Sequence, residues 1–401
     1  MFFNLFTKEC RQILSSLVFY IYIVLFVLFM ASQMNEVDVV NMPEPGQEDY
    51  GYTYTTDKTA IMEGTLMDLF MDIDHSTFNT YPWGFLKTVV PDEDDLKKLT
   101  AILERCTGCS MDELADIEYE AFQNSDSETD LGFTIPLADD LDYDTFLAEM
   151  SKVCGIVGKG SSYEKSSFES TTRVPMTYDQ AVKSFNEICD IDHVTDSYMR
   201  LFCDYASIML GLLPIFVMVT RCVRDKRSHV TQVIYAKSAS SAKIVLSRYL
   251  ANLVMVLMPV LILALAMELP YIYQAHTLGV VPHYLSFLKY TVIWLVPITA
   301  WIMALSYLLA ELTNGVIAVI VPALYVFLSD LASSILVGNW GLKLMPRWNT
   351  FGNAAYFFQH RNELYINRLF YAGLAVLAVI LTIIIYSIKR KGGLKRRGKS
   401  N

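Results

Sequence analysis

Two cysteines three residues apart, Cys106 and Cys109 in the segment CTGC, have the spacing of a redox motif or of half a zinc site. A zinc site needs a second close pair of ligands, but Cys154 and Cys189 are 35 residues apart. A thioredoxin-like motif would need a preceding strand, whereas the residues before Cys106 have a helical pattern. Disulfides, free thiols and a metal site stay open for these four cysteines. Because Cys154 and Cys189 each end a similar helical pattern, we predict a disulfide between them.

The segment CGIVGKGSSY (154–163) resembles a phosphate-binding loop, which would bind ATP. That loop has four residues between its two glycines, followed directly by Lys and Ser or Thr. Here only two residues separate Gly155 from Gly158, and Gly160 separates Lys159 from Ser161. We interpret the segment as a helix end, and we expect no ATP site and no cofactor in this chain.

The remaining candidate sites are acidic. The clusters at 126–132 and 139–144 do not place a glycine at the sixth position and a glutamate at the twelfth, as a calcium loop requires, so they are interpreted as a solvated surface. No zinc-protease, serine-nucleophile or paired-carboxylate pattern occurs in the apolar segments, so we do not expect an enzyme. An ionisable residue within a membrane span is a functional candidate, and Glu268 is the strongest one, on a possible translocation path.

The elements that would position these residues are mostly apolar. Hydrophobic residues make up 53% of the chain, and the mean hydropathy is +0.33, which indicates a membrane protein. A helix needs about 20 apolar residues to cross a bilayer. Six segments meet this requirement: 13–32, 201–220, 246–273, 287–310, 315–337 and 366–388.

Charge divides the chain into two parts. Residues 36–199 contain 35 acidic and 10 basic residues, whereas the rest contains 7 acidic and 22 basic residues. Segments rich in Lys and Arg stay in the cytoplasm, while translocated domains are free to be acidic. We therefore predict a cell-membrane protein with both termini in the cytoplasm. Three basic residues, Lys343, Arg347 and Arg361, oppose this orientation because they lie in a predicted outer segment.

The predicted fold is an all-α polytopic membrane protein with six transmembrane helices. A mostly helical extracellular domain with minor β structure is inserted after the first helix. The predicted boundaries are an interfacial amphipathic helix 1–12, transmembrane helix 13–32, acidic extracellular domain 33–200, transmembrane helix 201–220, cytoplasmic coupling region 221–245, transmembrane helices 246–388 with outer segment 338–365, and basic tail 389–401.

The basic bridge "RDKRSHVTQVIYAKSASSAKIVLSRYLANL" connects two of these spans. It has a charged start, a short helical segment, a break of small residues at 238–241, and a basic lead into the next span. Together with the N-terminal helix, the six spans and the long segment before the last span, it resembles the permease subunits of type-2 ABC exporters. The large domain after the first span is a departure from many members of that family.

The resemblance implies an exporter permease that works with a separate ABC ATPase subunit, as a homodimer or with a similar permease. It assigns ATPase coupling to Arg224, Asp225, Lys226, Arg227 and His229, as the bridge is the one sizeable loop predicted on the cytoplasmic side. Basic residues there can also contact anionic lipid head groups. The alternative is a membrane receptor or signalling protein with an acidic ligand-binding ectodomain. Nucleic acid is not an expected partner, and the sequence does not identify the substrate.

Overall fold

The structure, a computed structural model, describes residues 2–34, 40–82, 86–124, 134–228, 230–236, 238–313, 315–330, 343–346, 351–352 and 354–397. These residues are predominantly helical with little sheet, as predicted. The chain divides into two compact units. Residues 43–181 form the first unit, called the inserted domain below. The described parts of 1–42, 182–330 and 336–401 form the second, called the helix unit.

The helix unit is built from long apolar helices. Its elements are α1 (Phe2–Leu14), α2 (Leu17–Met34), α9 (Val194–Arg227), α10 (Thr231–Tyr235), α11 (Ser241–Thr277), α12 (Ser286–Tyr290), α13 (Val296–Leu312), α14 (Val316–Asp330) and α15 (Ala354–Arg397), with π-helical segments at Glu187–Asp192 and Thr291–Leu295. In the described part, five helices are long and apolar enough to cross a membrane: α2, α9, α11, the continuous helix Ser286–Leu312, and Phe357–Gly392 within α15. The prediction of a multi-pass membrane protein is therefore confirmed.

The sixth predicted span, 315–337, corresponds to α14. The described part of this helix has 15 residues, so at 1.5 Å per residue it is about 22 Å long, less than a bilayer core. The rest of the predicted span lies outside the described residues, so the count of six remains a prediction.

Contacts between the helices bury polar as well as apolar groups. Helix α13 packs against α9 and α15, and α1 packs against α11. The Tyr22 hydroxyl donates to the Val256 carbonyl at 2.7 Å, and the Tyr249 hydroxyl donates to the Ala300 carbonyl at 2.8 Å. A buried hydroxyl needs such a partner, so these bonds help to fix which faces of the helices meet.

The compact units divide the chain differently from the boundary predicted at residue 200, since residues 182–200 belong to the helix unit and α9 begins at Val194. Their polar composition is typical of a soluble domain, but Asp192, Asp196 and Arg200 are buried and paired. Arg200 and Asp192 form an ion pair with both side chains fully buried. Arg200 also donates to the Gly352 carbonyl at 3.2 Å. A charged residue can therefore lie in the helix unit when its partner is buried with it.

The inserted domain contains helices and two small antiparallel sheets. Its elements are β1 (Tyr52–Tyr54), α3 (Lys58–Asp74), β2 (Phe78–Thr80), β3 (Lys87–Val89), α4 (Glu93–Thr107), α5 (Met111–Asn124), α6 (Tyr143–Val157), α7 (Lys165–Thr171) and β4 (Arg173–Pro175), and α8 (Tyr178–Asn186) starts at its end. Strand β1 pairs with β4, placing Thr53 opposite Val174, and β2 pairs with β3, placing Asn79 opposite Thr88.

Helix signals in the sequence have their expected effect in this domain. The Ser110 hydroxyl accepts from the Glu113 amide at 3.4 Å, and Glu113 Oε2 accepts from the Ser110 amide at 2.8 Å. This reciprocal capping starts α5. Phe146 of α6 is fully buried and meets Phe168 edge-on at 5.4 Å between ring centroids. The domain has its own core, to which α3, α4, α6 and α7 contribute.

Glu149 forms two ion pairs at the edge of this core. The Glu149 side chain is 6% exposed, and its Oε1 accepts from Arg105 and from Lys152, both at 2.8 Å. Burial opposes ionisation, but the hydrogen bonds from Lys152 and Arg105 lower the pKa of Glu149 overall. A carboxyl group whose pKa is lower in the folded state stabilises the fold above its unfolded pKa of about 4.3. That contribution is lost as the pH falls through the folded value.

We expect the double substitution Arg105→Ala with Lys152→Ala to destabilise the inserted domain by about 1–3 kcal/mol at pH 7, because it leaves a buried carboxylate without donors. Glu149→Gln should cost less, since both cations are more than half exposed and remain hydrated. Hydrogen exchange of the α4 and α6 amides measures the change, and the loss should shrink near pH 4. Lys97→Ala, which breaks an exposed 4.0 Å pair with Asp94, is the control. Equal protection in all variants would contradict the role of Glu149.

Candidate functional site at the basic end of the helix unit

Four charged residues from three helices form an ion cluster: Glu9 of α1, Arg221 and Asp225 of α9, and Arg248 of α11. Arg221 donates from Nε to Glu9 Oε2 at 2.6 Å, from Nη2 to Glu9 Oε1 at 2.8 Å, and from Nη1 to Asp225 Oδ1 at 3.0 Å. Arg248 donates from Nη2 to Asp225 Oδ2. Two carboxylates thus meet two guanidinium groups, and the formal charge of the ion cluster is zero.

Burial makes this pairing necessary. The side chains of Arg221 and Arg248 are 6% and 4% exposed, and those of Glu9 and Asp225 are both 13% exposed. Arg248 Nε lies 3.5 Å from Glu9 Oε1, close enough for attraction, but it makes no hydrogen bond in the described part of the chain. Removing one partner of such a group leaves a buried charge without compensation, which is strongly destabilising.

Helix geometry brings the four residues together. Arg221 and Asp225 are four residues apart on α9 and therefore share a face. Ser240, within the predicted break of small residues, caps α11 by accepting from the Lys243 amide at 3.3 Å. Arg248 follows two turns into that helix. Glu9 was not predicted as a functional residue, although it is the single acidic residue among the first 35, and that rarity was the available signal.

The short helix α10 is held by the end of α15. Arg390 donates from Nε to the Tyr235 carbonyl at 2.9 Å and from Nη1 to the Ala239 carbonyl at 2.6 Å. The Tyr235 ring packs edge-on against Tyr386, with 5.4 Å between ring centroids. These contacts attach both α10 and the turn that follows it to the last long helix. We call this end of the helix unit, with the ion cluster, α10 and Arg390, the basic end.

The other face of α10 is open. Val233 is 64% exposed and Val230, just before the helix, is 38% exposed. Gln232 between them is also exposed. Two apolar side chains thus project from a segment whose opposite face is fixed to α15, which gives a surface that another protein can contact.

Two of the five predicted coupling residues point into the helix unit. Asp225 belongs to the ion cluster, and its carbonyl also accepts from the Thr231 hydroxyl at 3.2 Å. The Lys226 ammonium group donates to the Ala310 carbonyl and, at 3.1 Å, to the Thr313 carbonyl at the end of α13. Both residues therefore position the bridge from within.

The other predicted coupling residues differ from these two. Arg224 and Arg227 are exposed on the last turns of α9. Arg224 donates a long hydrogen bond, 3.5 Å from Nη1 to the Gln12 carbonyl. His229 lies outside the described residues. The structure therefore brings Arg224 and Arg227 to the surface near α10 and places Asp225 and Lys226 behind it.

A second cluster of charged residues lies at the opposite end of the helix unit. Asp196, near the start of α9, accepts from the Ser286 hydroxyl, from Lys289 at 2.7 Å and from His283 Nδ1 at 3.1 Å. Glu268 of α11 is fully buried nearby. Its Oε2 accepts a long bond of 3.4 Å from the Phe287 amide, whereas its Oε1 has no hydrogen-bond partner among the described residues.

The predicted disulfide between Cys154 and Cys189 is not formed. All seven cysteines belong to the described part of the chain, and all are free thiols. Cys154 packs at the edge of the inserted-domain core, where its Sγ lies 3.6 Å from the Ser161 hydroxyl, whereas Cys189 is buried in the helix unit. Similar helix endings thus did not indicate a bonded pair. Burial raises the pKa of Cys106 to about 11, which makes it a poor redox nucleophile.

Comparison of the chain with protein-family models, with curated proteins and with solved structures finds no match in any of the three.

We expect Glu9→Gln to destabilise the full-length protein by about 3 kcal/mol, because the ion cluster would keep two buried cations and one acid. Adding Arg248→Gln restores neutrality, so the double variant should lose less than the sum of the two single variants. Reversible unfolding in mixed micelles measures the four species of this cycle. Glu363→Gln, at an exposed position on α15, is the matched control. Strict additivity would show that the pairing contributes nothing.

The two carboxylates at the opposite end should respond differently to amide substitution. Asp196→Asn loses the charge that holds Lys289 and is expected to lower the unfolding midpoint. Glu268→Gln should leave the midpoint unchanged or raise it, because it removes a buried charge that has few donors. Thermal unfolding of the full-length protein in detergent compares the two. A larger loss for Glu268→Gln than for Asp196→Asn would contradict this assignment.

Proposed function

We propose that the chain is the membrane-spanning permease subunit of an ATP-driven exporter of the ABC type, and that a separate subunit hydrolyses ATP. The single observation that carries the proposal is the construction of the basic end. A short helix with an exposed apolar face, α10, is fixed to the ends of the long helices.

The mechanical argument starts from stiffness. An ATPase that binds one surface of a membrane protein can move the membrane-spanning helices only through rigid contacts. Arg390 connects α10 to α15, and Thr231 connects it to the Asp225 carbonyl. Asp225 in turn connects α9 to α11 through Arg248, and Glu9 adds α1. Force applied at Val233 is therefore delivered to four helices at once.

The proposed topology has six spans, with α14 as the fifth, in the cell membrane. The basic end faces the cytoplasm, because Lys and Arg are retained on that side. Both termini then lie in the cytoplasm, and chain order puts the acidic inserted domain outside. In this proposal the coupling contacts are Arg224, Arg227, His229 and the exposed face of α10, while Asp225 and Lys226 support them.

The working unit we propose is a dimer of this chain, or of this chain with a similar permease, bound to two ATPase subunits. Glu268 is the proposed polar group beside the translocation path, because its Oε1 has no hydrogen-bond partner in the described part. The substrate is left unassigned.

The test is co-purification. The full-length chain, isolated in mild detergent from its native membranes, should carry an ATP-hydrolysing protein. Val233→Asp should lower the bound ATPase activity about tenfold, the equivalent of about 1.4 kcal/mol, by placing a charge at the contact. Val281→Asp, at a similarly exposed valine (71%) outside the basic end, is the matched control.

The same experiment distinguishes the exporter permease from the alternative, a membrane receptor or signalling protein. A receptor or signalling protein would carry no ATP hydrolysis, and both valine variants would then behave alike. Wild-type protein without ATPase activity in repeated native preparations would overturn the proposed function.

A further inference from the structure

We propose that a groove between α9 and α14 binds one anionic phospholipid. This site does not depend on the exporter activity; it requires only that the helices lie in a membrane. The groove has a volume of about 730 Å³ and is open at its mouth. Valines form its wall, among them Val219 and Val223 from α9 and Val316 and Val319 from α14.

The groove changes character within a short distance. Val219 and Arg227 are eight residues apart on α9, so about 12 Å of helix takes the lining from apolar to cationic. Arg224, Lys226 and Arg227 all line the cationic part. An acyl chain packs against an apolar wall, and a phosphate group binds cations. A phospholipid carries these two groups next to each other, as the groove does with its apolar and cationic parts. A soluble phosphate compound has no acyl chain that could pack against the valine wall.

Close packing at one point fixes the shape of the groove. Gly315 has a positive φ of 35°, and a Cβ added there would lie 2.9 Å from Val223 Cγ2. Lys226 is also fixed, since its ammonium group donates to two carbonyls at the end of α13. The two helices therefore meet near Gly315, and the groove is held by contacts that do not involve its two exposed arginines.

Charge indicates the head group. Arg221 and Arg248 are neutralised within the ion cluster, but no described residue forms an ion pair with Arg224 or Arg227. Both guanidinium groups are exposed at the groove. Guanidinium donates two parallel hydrogen bonds to phosphate oxygens, and basic pockets between spans on the positively charged side of a membrane protein bind anionic lipids. The observations thus fit a phosphate diester with a net negative head group.

Native mass spectrometry tests the site. Full-length protein is released from nanodiscs of phosphatidylcholine that contain roughly one tenth phosphatidylglycerol, so that the anionic lipid must compete with an excess of the zwitterionic one. Wild type should retain one phosphatidylglycerol. The double variant Arg224→Gln with Arg227→Gln removes both exposed guanidinium groups and should retain it about tenfold less, the equivalent of about 1.4 kcal/mol. The control Lys243→Gln with Lys391→Gln removes the same charge from exposed residues outside the groove and should behave as wild type.

A third variant separates a groove from diffuse attraction. Val316→Trp keeps both arginines but fills the mouth, at a position that is 68% exposed and tolerates a larger side chain. It should also lose the retained lipid. Retention by Val316→Trp, loss in the lysine control, or equal retention of phosphatidylcholine would each overturn the proposal. Release of the lipid by excess glycerol phosphate would do so too, because it would show that the apolar wall is not used. Unfolding midpoints in lipid-free detergent confirm that each variant is folded.

Discussion

The ion cluster of Glu9, Arg221, Asp225 and Arg248 is the constraint on which the rest of the helix unit depends. Each of its charges is too buried to be left alone, and the four residues come from three helices in different parts of the chain. The cluster is therefore satisfied only when α1, the end of α9 and the start of α11 lie side by side. Apolar packing within a bilayer is weakly directional, since lipid tails are as apolar as the side chains they replace. Charge pairing supplies the specific register that such packing lacks.

Hydrogen bonds to helix ends extend this register to the remaining elements. Lys226 and Lys389 donate to carbonyls at the end of α13, and Arg390 does so around α10. The last carbonyls of a helix have no partner within it, and a cation there also meets the negative end of the helix dipole. The basic composition of this end is thus partly structural. Only some of the positive charge, including Arg224 and Arg227, remains available at the surface.

The sequence alone was sufficient for the broad architecture, because apolar length, charge segregation and capping residues act locally. The five long helices and the capped start of α5 follow from such signals. Partners far apart in the chain could not be predicted in this way. Glu9 and Arg221 are 212 residues apart, and nothing in either segment identifies the other. Cys154 and Cys189 are both free thiols, so a shared helix pattern did not identify a bonded pair.

Residues 182–200 show how composition can mislead in a membrane protein. Asp192, Asp196 and Arg200 give this stretch the character of a soluble domain, yet all three are buried in the helix unit. Each has a partner: Asp192 pairs with Arg200, and Asp196 pairs with Lys289.

The two ends of the unit are therefore built on one principle, in which opposite charges are buried together where apolar helices end. They differ in one respect. At the basic end the four charges cancel within the ion cluster, whereas at the opposite end Glu268 keeps one carboxylate oxygen without a donor in the described part. A buried carboxylate with an unused acceptor is less stable in its charged form than one with donors. The opposite end is accordingly the one at which a buried carboxyl group, that of Glu268, forms no ion pair with any described residue.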